Sequence, residues 1–301
     1  MSRIAITGGT GFVGAHLIDL AVARGHKVRA LTRRPQPPRS GVTWVEGALD
    51  RPPGLAALVE GCEAVIHVAG VINGSEAEFH RGNVLGTEAM VSAALAAGIE
   101  RFVHVSSLAA REPHLSAYGR SKAESEESVI ASGGDWTIVR PPAVYGPGDR
   151  EILELFRVAK SGVVPLPPAG ALSVIAVADL CRLLLDCLDH PASITRLFEP
   201  DDGREGGWSH VEFARLVGKA IGRRVLPLPM PQGVLKAGSW LGRHVPGPLA
   251  KLTADRLAYY CHPDWTVLPA RRPPEEVWQP QVETAQGLAD TAAWYKAEGW
   301  L

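Results

Sequence analysis

The chain has 301 residues, of which 46% are hydrophobic and 21% charged, and a formal net charge of -1. This length and apolar content allow one large domain or two smaller ones with a sizeable core, and they exclude a disordered chain. The near-neutral charge provides no basic field for nucleic acid, so we expect any bound anion to be held by local chemistry.

The first predicted element is a strand at the amino terminus that runs directly into a glycine turn. Residues 3–7 read Arg-Ile-Ala-Ile-Thr, and Gly8, Gly11 and Gly14 follow before a helix predicted over Ala15–Ala23. Glycine lets the backbone approach a pyrophosphate without a Cβ in the way, and a helix start offers unpaired N–H groups. Glycines also build ordinary turns, but this strand–turn–helix order favours a dinucleotide-phosphate site.

The turn sequence Thr7-Gly8-Gly9-Thr10-Gly11-Phe12-Val13-Gly14 resembles the extended branch of the short-chain dehydrogenase/reductase superfamily, the NAD(P)-dependent epimerase/dehydratase family. The resemblance implies an α/β fold with a Rossmann-type doubly wound parallel sheet and a smaller C-terminal substrate-binding lobe. It places the NAD(P)-binding domain at residues 1–147 and 172–200, and the lobe at 148–171 and 201–301. It assigns cofactor contacts in the turn to Gly8, Thr10, Gly11, Phe12, Val13 and Gly14.

A second strand is predicted over Lys27–Thr32, with a third over Val42–Val45 beside it. Dinucleotide folds that favour NAD usually carry an acid after the second strand, whereas this chain has Arg33 and Arg34 there. Two guanidinium groups suit a 2′-phosphate. NADP is therefore the preferred cofactor and NAD the alternative, and the other interpretation of the two arginines is solvated loop charge.

The apolar run Ala64–Ala69, followed by Gly70, predicts a fourth strand buried on both faces of a parallel sheet. The resemblance places its end beside the dinucleotide and makes His67 structural or cofactor-lining, not a catalytic base. The cofactor-lining residues implied in this part of the chain are Leu49, His67, Val68, Ala69 and Gly70. The family's usual Gly-Asp-Leu, whose aspartate contacts adenine, reads Gly47-Ala48-Leu49 here, which removes one adenine contact.

A long helix is predicted over about Glu76–Ala97, and its Asn83-Val84-Leu85-Gly86-Thr87 matches the family's Asn-Val-x-Gly-Thr. The match implies that Asn83 lines the cofactor site. Helix capping or core packing is the alternative role for this side chain.

The strand predicted over Arg101–Val105 delivers Ser106 and Ser107 at its carboxyl end, where open α/β sheets bind ligands. Tyr118 and Lys122 follow, one turn apart on one face of a helix. A free tyrosine titrates near ~10, and a nearby ammonium favours its phenolate form. The spacing alone also fits an unrelated exposed pair.

The family resemblance assigns the catalytic roles. Ser107 would donate a hydrogen bond to the substrate oxygen, and Tyr118 would transfer the proton. Lys122 would hold the nicotinamide ribose and lower the pKa of Tyr118, so that both Tyr118 and Lys122 also contact the cofactor. Ser106 is not chosen, because the family's serine is the second of the pair.

A sixth strand is predicted over Trp136–Arg140. It opens into Arg140-Pro141-Pro142-Ala143-Val144-Tyr145-Gly146-Pro147-Gly148-Asp149, which resembles the family's Arg-Pro-x-x-Val-Tyr-Gly-Pro-Gly-Asp. The resemblance adds Pro141 and Val144 to the cofactor contacts. Thr195–Glu199 is predicted to return to the sheet as a further strand, and Ser209–Ile221 to form an amphipathic helix. The resemblance is weakest over residues 223–274.

The four cysteines show no CxxC spacing and no cluster of metal-ligand type, so we expect reduced thiols and no metal. A strand that starts at residue 3 predicts no signal peptide and a cytoplasmic protein. Prolines interrupt the uncharged stretch between Lys160 and Asp179, which excludes an integral membrane helix there. The segment Val234–Pro246 could touch a membrane surface, although its glycines and proline favour an ordinary packed helix. The resemblance also allows a homodimer.

Three functions fit this sequence. The first is an NADP(H)-dependent oxidoreductase that interconverts a carbonyl and an alcohol on a small apolar or lipid-like substrate. The second is a nucleotide-sugar epimerase with tightly bound NAD, and the third a non-catalytic dinucleotide-sensing or assembly protein, which the intact Tyr118 and Lys122 disfavour. A dehydratase is disfavoured because Leu108-Ala109 stands where that subgroup has Asp-Glu. The substrate itself cannot be read from fold and cofactor site.

Overall fold

The computed structural model describes residues 2–235 and 254–301. The chain divides into two compact units. The first comprises Met1–Pro141, Val177–Pro200 and Ala270–Gln279, and the second Pro142–Ala176, Asp201–Pro269 and Pro280–Leu301. The segment predicted to approach a membrane, Val234–Pro246, lies outside the described residues from Lys236 onward.

Strands and helices alternate along most of the chain. The strands are β1 (Arg3–Thr7), β2 (Lys27–Thr32), β3 (Val42–Glu46), β4 (Ala64–His67), β5 (Arg101–Val105), β6 (Trp136–Val139), β7 (Ala143–Tyr145), β8 (Val163–Leu166), β9 (Ala171–Leu172), β10 (Val174–Ala176), β11 (Arg196–Phe198), β12 (Trp208–Ser209), β13 (Leu226–Pro229) and β14 (Asp264–Trp265). The α-helices are α1 (Phe12–Ala23), α2 (Pro52–Val59), α3 (Glu76–Phe79), α4 (Gly86–Ala96), α5 (Ala117–Ile130), α6 (Glu151–Ala159), α7 (Val177–Asp189), α8 (His210–Ala220), α9 (Ala254–Tyr260) and α10 (Thr284–Ala297).

The first unit is built on one seven-stranded parallel sheet with the order β11-β6-β5-β4-β1-β2-β3. The strand order reverses between β1 and β4, which is the switch point of a doubly wound Rossmann fold. The predicted fold class is therefore confirmed. Because all seven strands are parallel, their carboxyl ends meet at one edge of the sheet, and the candidate site lies there.

Burial on both faces explains the apolar strands. β4 is buried along its whole length, and Val65 and Ile138 share a core with Leu58 and Met90. The helices α1 and α7 contact each other in the same unit. Strands covered on both faces read as continuous apolar runs, which is why the sequence pattern located them.

The second unit contains small sheets in place of a large one. β7 pairs in parallel with β10, β13 pairs with β8, and β12, β9 and β14 form a third sheet. Its core includes Tyr145, Phe156, Phe213, Leu288 and Tyr295. This division assigns residues 142–147 and 172–176 to the second unit, in which β7 and β10 pair with each other. The boundaries of the substrate-binding lobe that the sequence predicted stay a prediction.

The long helix predicted over Glu76–Ala97 forms as three consecutive segments. α3 leads into a π-helical turn, His80–Leu85, which leads into α4. A Cβ at Gly82 would lie 2.4 Å from Cγ2 of Val71, so the turn packs closely on the loop after β4. A π-turn inside a helix often marks a functional position. Among the described residues, the helices are too short or too polar for a membrane crossing.

Candidate active site

The glycine turn after β1 is folded against the end of β4. Gly8 has a φ of 72°, in the left-handed region, and a Cβ there would lie 2.8 Å from the backbone nitrogen of Ala69. A Cβ at Gly14 would lie 2.1 Å from the carbonyl oxygen of Gly8. Gly11 precedes α1 without a capping side chain, so the first N–H groups of the helix are available to an anion. This cradle fits a dinucleotide pyrophosphate.

A directed chain of hydrogen bonds runs beneath the turn. The Ala69 amide donates to Oγ1 of Thr7 (3.1 Å), and that hydroxyl lies 2.7 Å from Nδ1 of His67. Nε2 of His67 lies 3.1 Å from Oγ1 of Thr87, which donates to the carbonyl oxygen of Asn83 (2.6 Å). Because the Thr87 hydroxyl gives its one proton to Asn83, it must accept from Nε2 of His67, and in a neutral ring Nδ1 then accepts from Thr7. The bond to Thr87 thereby fixes Nε2 of His67 as a protonated nitrogen.

The electrostatics agree with this assignment. Burial, and then the charge of Lys122, lower the pKa of His67 to about 3. His67 stacks on His104 with ring centroids 5.4 Å apart, and burial also holds the pKa of His104 well below its ordinary value. A buried ring that stays neutral and bonds two threonines has a structural role and suits no general base at neutral pH.

Asn83 connects the loop after β4 to helix α5. Its Oδ1 accepts from the Val71 amide (2.6 Å), and its Nδ2 donates to the Val71 carbonyl (3.0 Å) and to Oγ of Ser121 (2.9 Å). Ser121 in turn donates to the carbonyl oxygen of Tyr118 (2.8 Å). Sequence reasoning missed Ser121, because it lies between two motif positions and no spacing rule marks it.

Lys122 and Tyr118 lie one turn apart on α5, whose N-terminus is capped by Ser116. The Lys122 side chain is 3% exposed, and its Nζ donates to the carbonyl oxygen of Val105 (2.9 Å). A Cβ at Gly70 would lie 4.0 Å from that nitrogen, so Lys122 reaches the end of β4. Burial lowers the pKa of Lys122 to about 8, against the opposing charge of Glu126, and the amine is still mostly protonated at pH 7.

The two serines after β5 have different surroundings. Ser106 is buried and donates a short hydrogen bond to the Glu126 carboxylate. Ser107 is half-buried, and its Oγ accepts from the Ala109 amide (3.2 Å) at the start of a short 3-10 helix. The next amide, of Leu108, donates to the carbonyl oxygen of Pro141 (3.0 Å), which brings the ends of β5 and β6 together. Because Ser107 acts as the acceptor in its bond to Ala109, its own proton can be donated to a substrate.

A buried charge network supports this edge of the sheet. Arg140 binds Glu126 through two hydrogen bonds, from Nε (2.8 Å) and Nη2 (2.6 Å), and its Nη1 lies 3.5 Å from Glu199. Arg111 lies 3.7 Å from the other oxygen of Glu199. Sequence reasoning missed Glu126, although it stands one helical turn after Lys122, where both face the same side of α5.

The other predicted cofactor residues have varied settings. Arg33 and Arg34 are exposed directly after β2, and neither guanidinium forms an ion pair within residues 2–235 and 254–301. Leu49 packs on Gly86, where a Cβ would meet its Cδ1 at 2.7 Å. Thr10 is exposed in the turn, whereas Phe12 and Val13 are half-buried in the first turn of α1. The backbone of Val68 packs against Gly8. Val144 lies on β7, in the second unit.

Metal-ligand side chains do not gather in groups of three or more in the part of the chain that the structure describes. The described thiols are likewise not joined in disulfides.

A family model described as NAD(P)H-binding matches residues 8–191. The chain belongs to the extended short-chain dehydrogenase/reductase family. A ceramide reductase from Caulobacter vibrioides is 39% identical over 99% of this chain and 96% of its own length. A 4-hydroxy-2-methyl-3-oxo-4-farnesyl-3,4-dihydroquinoline-1-oxide ketoreductase from Stigmatella aurantiaca is 35% identical over 50% of this chain and 53% of its own length.

Among solved structures, a UDP-glucose 4-epimerase from Thermotoga maritima with UDP-glucose superimposes with a TM-score of 0.75. It is 18% identical, and the match covers 98% of this chain and 99% of that one, which supports the fold alone. The chain is thus an NAD(P)-dependent enzyme of the extended short-chain dehydrogenase/reductase family. This finding sets aside the non-catalytic alternative.

Proposed function

We propose that this enzyme reduces a ketone on a lipid-like substrate with NADPH, and that Tyr118 is the acid that protonates the new alcohol oxygen. The observation that carries the proposal is the buried Lys122 ammonium, held one helical turn from the half-buried Tyr118. The full-length similarity to a ceramide reductase supports a substrate that carries long acyl chains.

The protein's own groups have distinct tasks in this proposal. When bound, the reduced nicotinamide supplies a hydride to the carbonyl carbon. Ser107 donates a hydrogen bond to the carbonyl oxygen, and Tyr118 transfers its phenolic proton to that oxygen as the C–O double bond becomes single. The nearby Lys122 ammonium stabilises the phenolate that results, and a proton from solvent restores the phenol.

The cofactor preference rests on the end of β2. The glycine cradle and the uncapped start of α1 fit the pyrophosphate of either dinucleotide. The exposed Arg33 and Arg34 carry free positive charge where a ribose 2′-phosphate would be recognised, and no acid follows β2 to bind a 2′-hydroxyl. We therefore assign NADP(H) to the site.

The function is tested with Tyr118→Phe, which removes the proton and keeps the ring. We expect kcat for reduction of a long-chain keto-amide lipid to fall by roughly a thousandfold or more, because general acid catalysis is lost. The dissociation constant for NADPH should stay within about twofold of wild type, since cofactor affinity depends mainly on the glycine turn. Turnover unchanged in Tyr118→Phe would contradict the assignment.

The second candidate is a nucleotide-sugar epimerase, which would use the same Ser107, Tyr118 and Lys122 with a tightly bound NAD. It predicts NAD retained through purification and interconversion of UDP-glucose and UDP-galactose without added cofactor. Mass spectrometry of the nucleotide released from purified protein separates the two candidates. Retained NAD together with sugar epimerisation would overturn the reductase proposal.

A further inference from the structure

Two short strands of the second unit carry an exposed apolar face. Leu226 and Leu228 of β13 are 62% and 46% exposed, and Val163 of β8 is 42% exposed. The parallel register pairs Leu226 with Val163 and Leu228 with Pro165, which is also exposed. Since alternate residues of a strand share a face, these four side chains adjoin on one side; we call them the β8–β13 face. The intervening β8 residues, Val164 and Leu166, point into the core.

The edge of β13 that faces away from β8 is poorly suited to pairing with another strand. The amides of Leu226 and Met230 donate to the carbonyls of Gly162 and Leu166, so alternate positions of β13 face β8. The positions between them, which face outward, are Pro227 and Pro229. Proline has no N–H, so this edge offers no donors to another strand. Recognition of a partner through β-strand addition is therefore disfavoured. A partner would instead contact the apolar side chains of the β8–β13 face.

Unpaired cations stand at the start of both strands. Lys160 lies three residues before β8, and Arg223 and Arg224 lie three and two residues before β13. All three are exposed and form no ion pair within residues 2–235 and 254–301. In the sequence no Asp or Glu occurs between Glu212 and Asp255, whereas seven Lys and Arg do. Among the described residues, Lys160, Arg223 and Arg224 thus place positive charge at the start of the β8–β13 face.

We infer that the β8–β13 face and its flanking cations form a docking surface for an anionic lipid bilayer. Scattered exposed apolar residues are ordinary on a protein surface, but here four adjoin and basic side chains border them. Such a surface suits a membrane interface, where apolar groups enter the acyl boundary and Lys and Arg bind anionic headgroups. The inference extends the proposed function, since a lipid substrate resides in a membrane.

The test is vesicle flotation of the full-length protein without substrate or cofactor. We expect binding to vesicles of mixed phosphatidylcholine and phosphatidylglycerol, and weak binding to phosphatidylcholine alone. Each basic residue near an anionic surface strengthens partitioning by about fivefold. Arg223→Gln with Arg224→Gln should therefore reduce binding by roughly twentyfold, and raised salt should weaken wild-type binding. Leu226→Ser with Leu228→Ser should reduce it by about tenfold or more.

Two matched controls separate this surface from general effects. Ile130→Ser changes an apolar side chain of similar exposure, 48%, on α5, and Arg51→Gln removes an exposed charge before α2. Both should bind vesicles as wild type does. Absence of wild-type binding to anionic vesicles, or equal losses in the controls, would overturn the inference. So would a dimer in sedimentation analysis that Leu226→Asp dissociates, because the face would then bind a second copy.

The reaction is assayed separately with a water-soluble short-chain ketone. The four docking substitutions should leave kcat/KM for this substrate unchanged, because they lie outside the catalytic residues. A protein that floats with vesicles but reduces no ketone would refute the proposed function and leave the docking surface standing. A protein that reduces the ketone but fails to float with vesicles would refute the docking surface and leave the proposed function standing.

Discussion

Lys122 holds a positive charge in the interior of the sheet edge, and this has a measurable effect on stability. Burial lowers the pKa of its amine from 10.5 to about 8. At a pH between these two pKa values, the Lys122 amine is mostly deprotonated in the native state and mostly protonated in the unfolded chain. The unfolded state then binds more protons, so this group makes the free energy of unfolding rise with pH across that window.

Replacing this side chain isolates the effect. We expect the unfolding free energy of wild type minus that of Lys122→Met to increase by up to about 3 kcal/mol from pH 7.5 to pH 10.5. Urea unfolding of both proteins without cofactor at several pH values measures it. Lys219→Met, which removes an exposed amine on α8, should give a flat difference. A flat difference for Lys122→Met as well would mean that its amine is not buried in solution.

At the scale of elements, the glycine turn depends on the absence of a side chain at Gly14. A Cβ there would lie 2.1 Å from the carbonyl oxygen of Gly8, so α1 would have to move away from the turn. We expect Gly14→Ala to lower the unfolding free energy by about 1–3 kcal/mol. NADPH affinity should fall by roughly tenfold or more, because the helix N-terminus is displaced from the phosphates.

The control for this substitution is Gly233→Ala, since a Cβ at Gly233 meets no atom of the described residues within 4 Å. Chemical denaturation and fluorescence titration with NADPH give both quantities for the two variants. If Gly14→Ala bound NADPH as tightly as wild type, the cradle around the turn would not be the phosphate site.

Several elements could be predicted from the sequence, because a local pattern determines them. β2 has the bounds that its apolar alternation predicted, and α1 follows the glycine turn, although it starts three residues earlier, at Phe12. The π-helical turn that carries Asn83 could not be predicted, because it depends on the close approach of Gly82 to Val71 across the fold. Likewise, the contact of Arg140 with Glu199 joins residues that no spacing rule connects.

At the scale of the whole molecule, cofactor binding should appear as a thermal shift. A ligand at a hundredfold excess over its dissociation constant stabilises the native state by about 2.7 kcal/mol, which for a chain of this length raises Tm by roughly 4 °C. We expect this shift for NADPH with wild type. Arg33→Ser with Arg34→Ser should lose most of the NADPH shift at the same concentration and keep the NADH shift, since only the 2′-phosphate contact is removed.

Arg51→Ser supplies the comparison, since Arg51 is exposed outside the turn after β2. Differential scanning fluorimetry with each nucleotide gives the result directly. An equal NADPH shift in wild type and in the double variant would identify Arg33 and Arg34 as solvated loop charges, the other interpretation that their sequence position allowed.

The division of the molecule into units shows where sequence reasoning stops. The fold class, a doubly wound parallel sheet, was predicted correctly from family motifs. Pairing of β7 with β10 outside the large sheet was not predicted, because both segments are short and apolar and their pattern fits either sheet. Short strands carry too little periodicity to specify their neighbours.

The hydrogen-bond chain beneath the glycine turn has a spectroscopic consequence. Ser125 donates to the carbonyl oxygen of Lys122 (2.7 Å), so it must accept from Nε2 of His104 (3.1 Å), just as Thr87 accepts from Nε2 of His67. Both imidazoles are therefore the Nε2–H tautomer. In ¹⁵N NMR spectra the Nδ1 resonances of both rings should have the downfield shift of an unprotonated ring nitrogen. The protons bound to Nε2 should exchange slowly with solvent. Neither signal should titrate between pH 5 and pH 8, a range in which exposed histidines change charge.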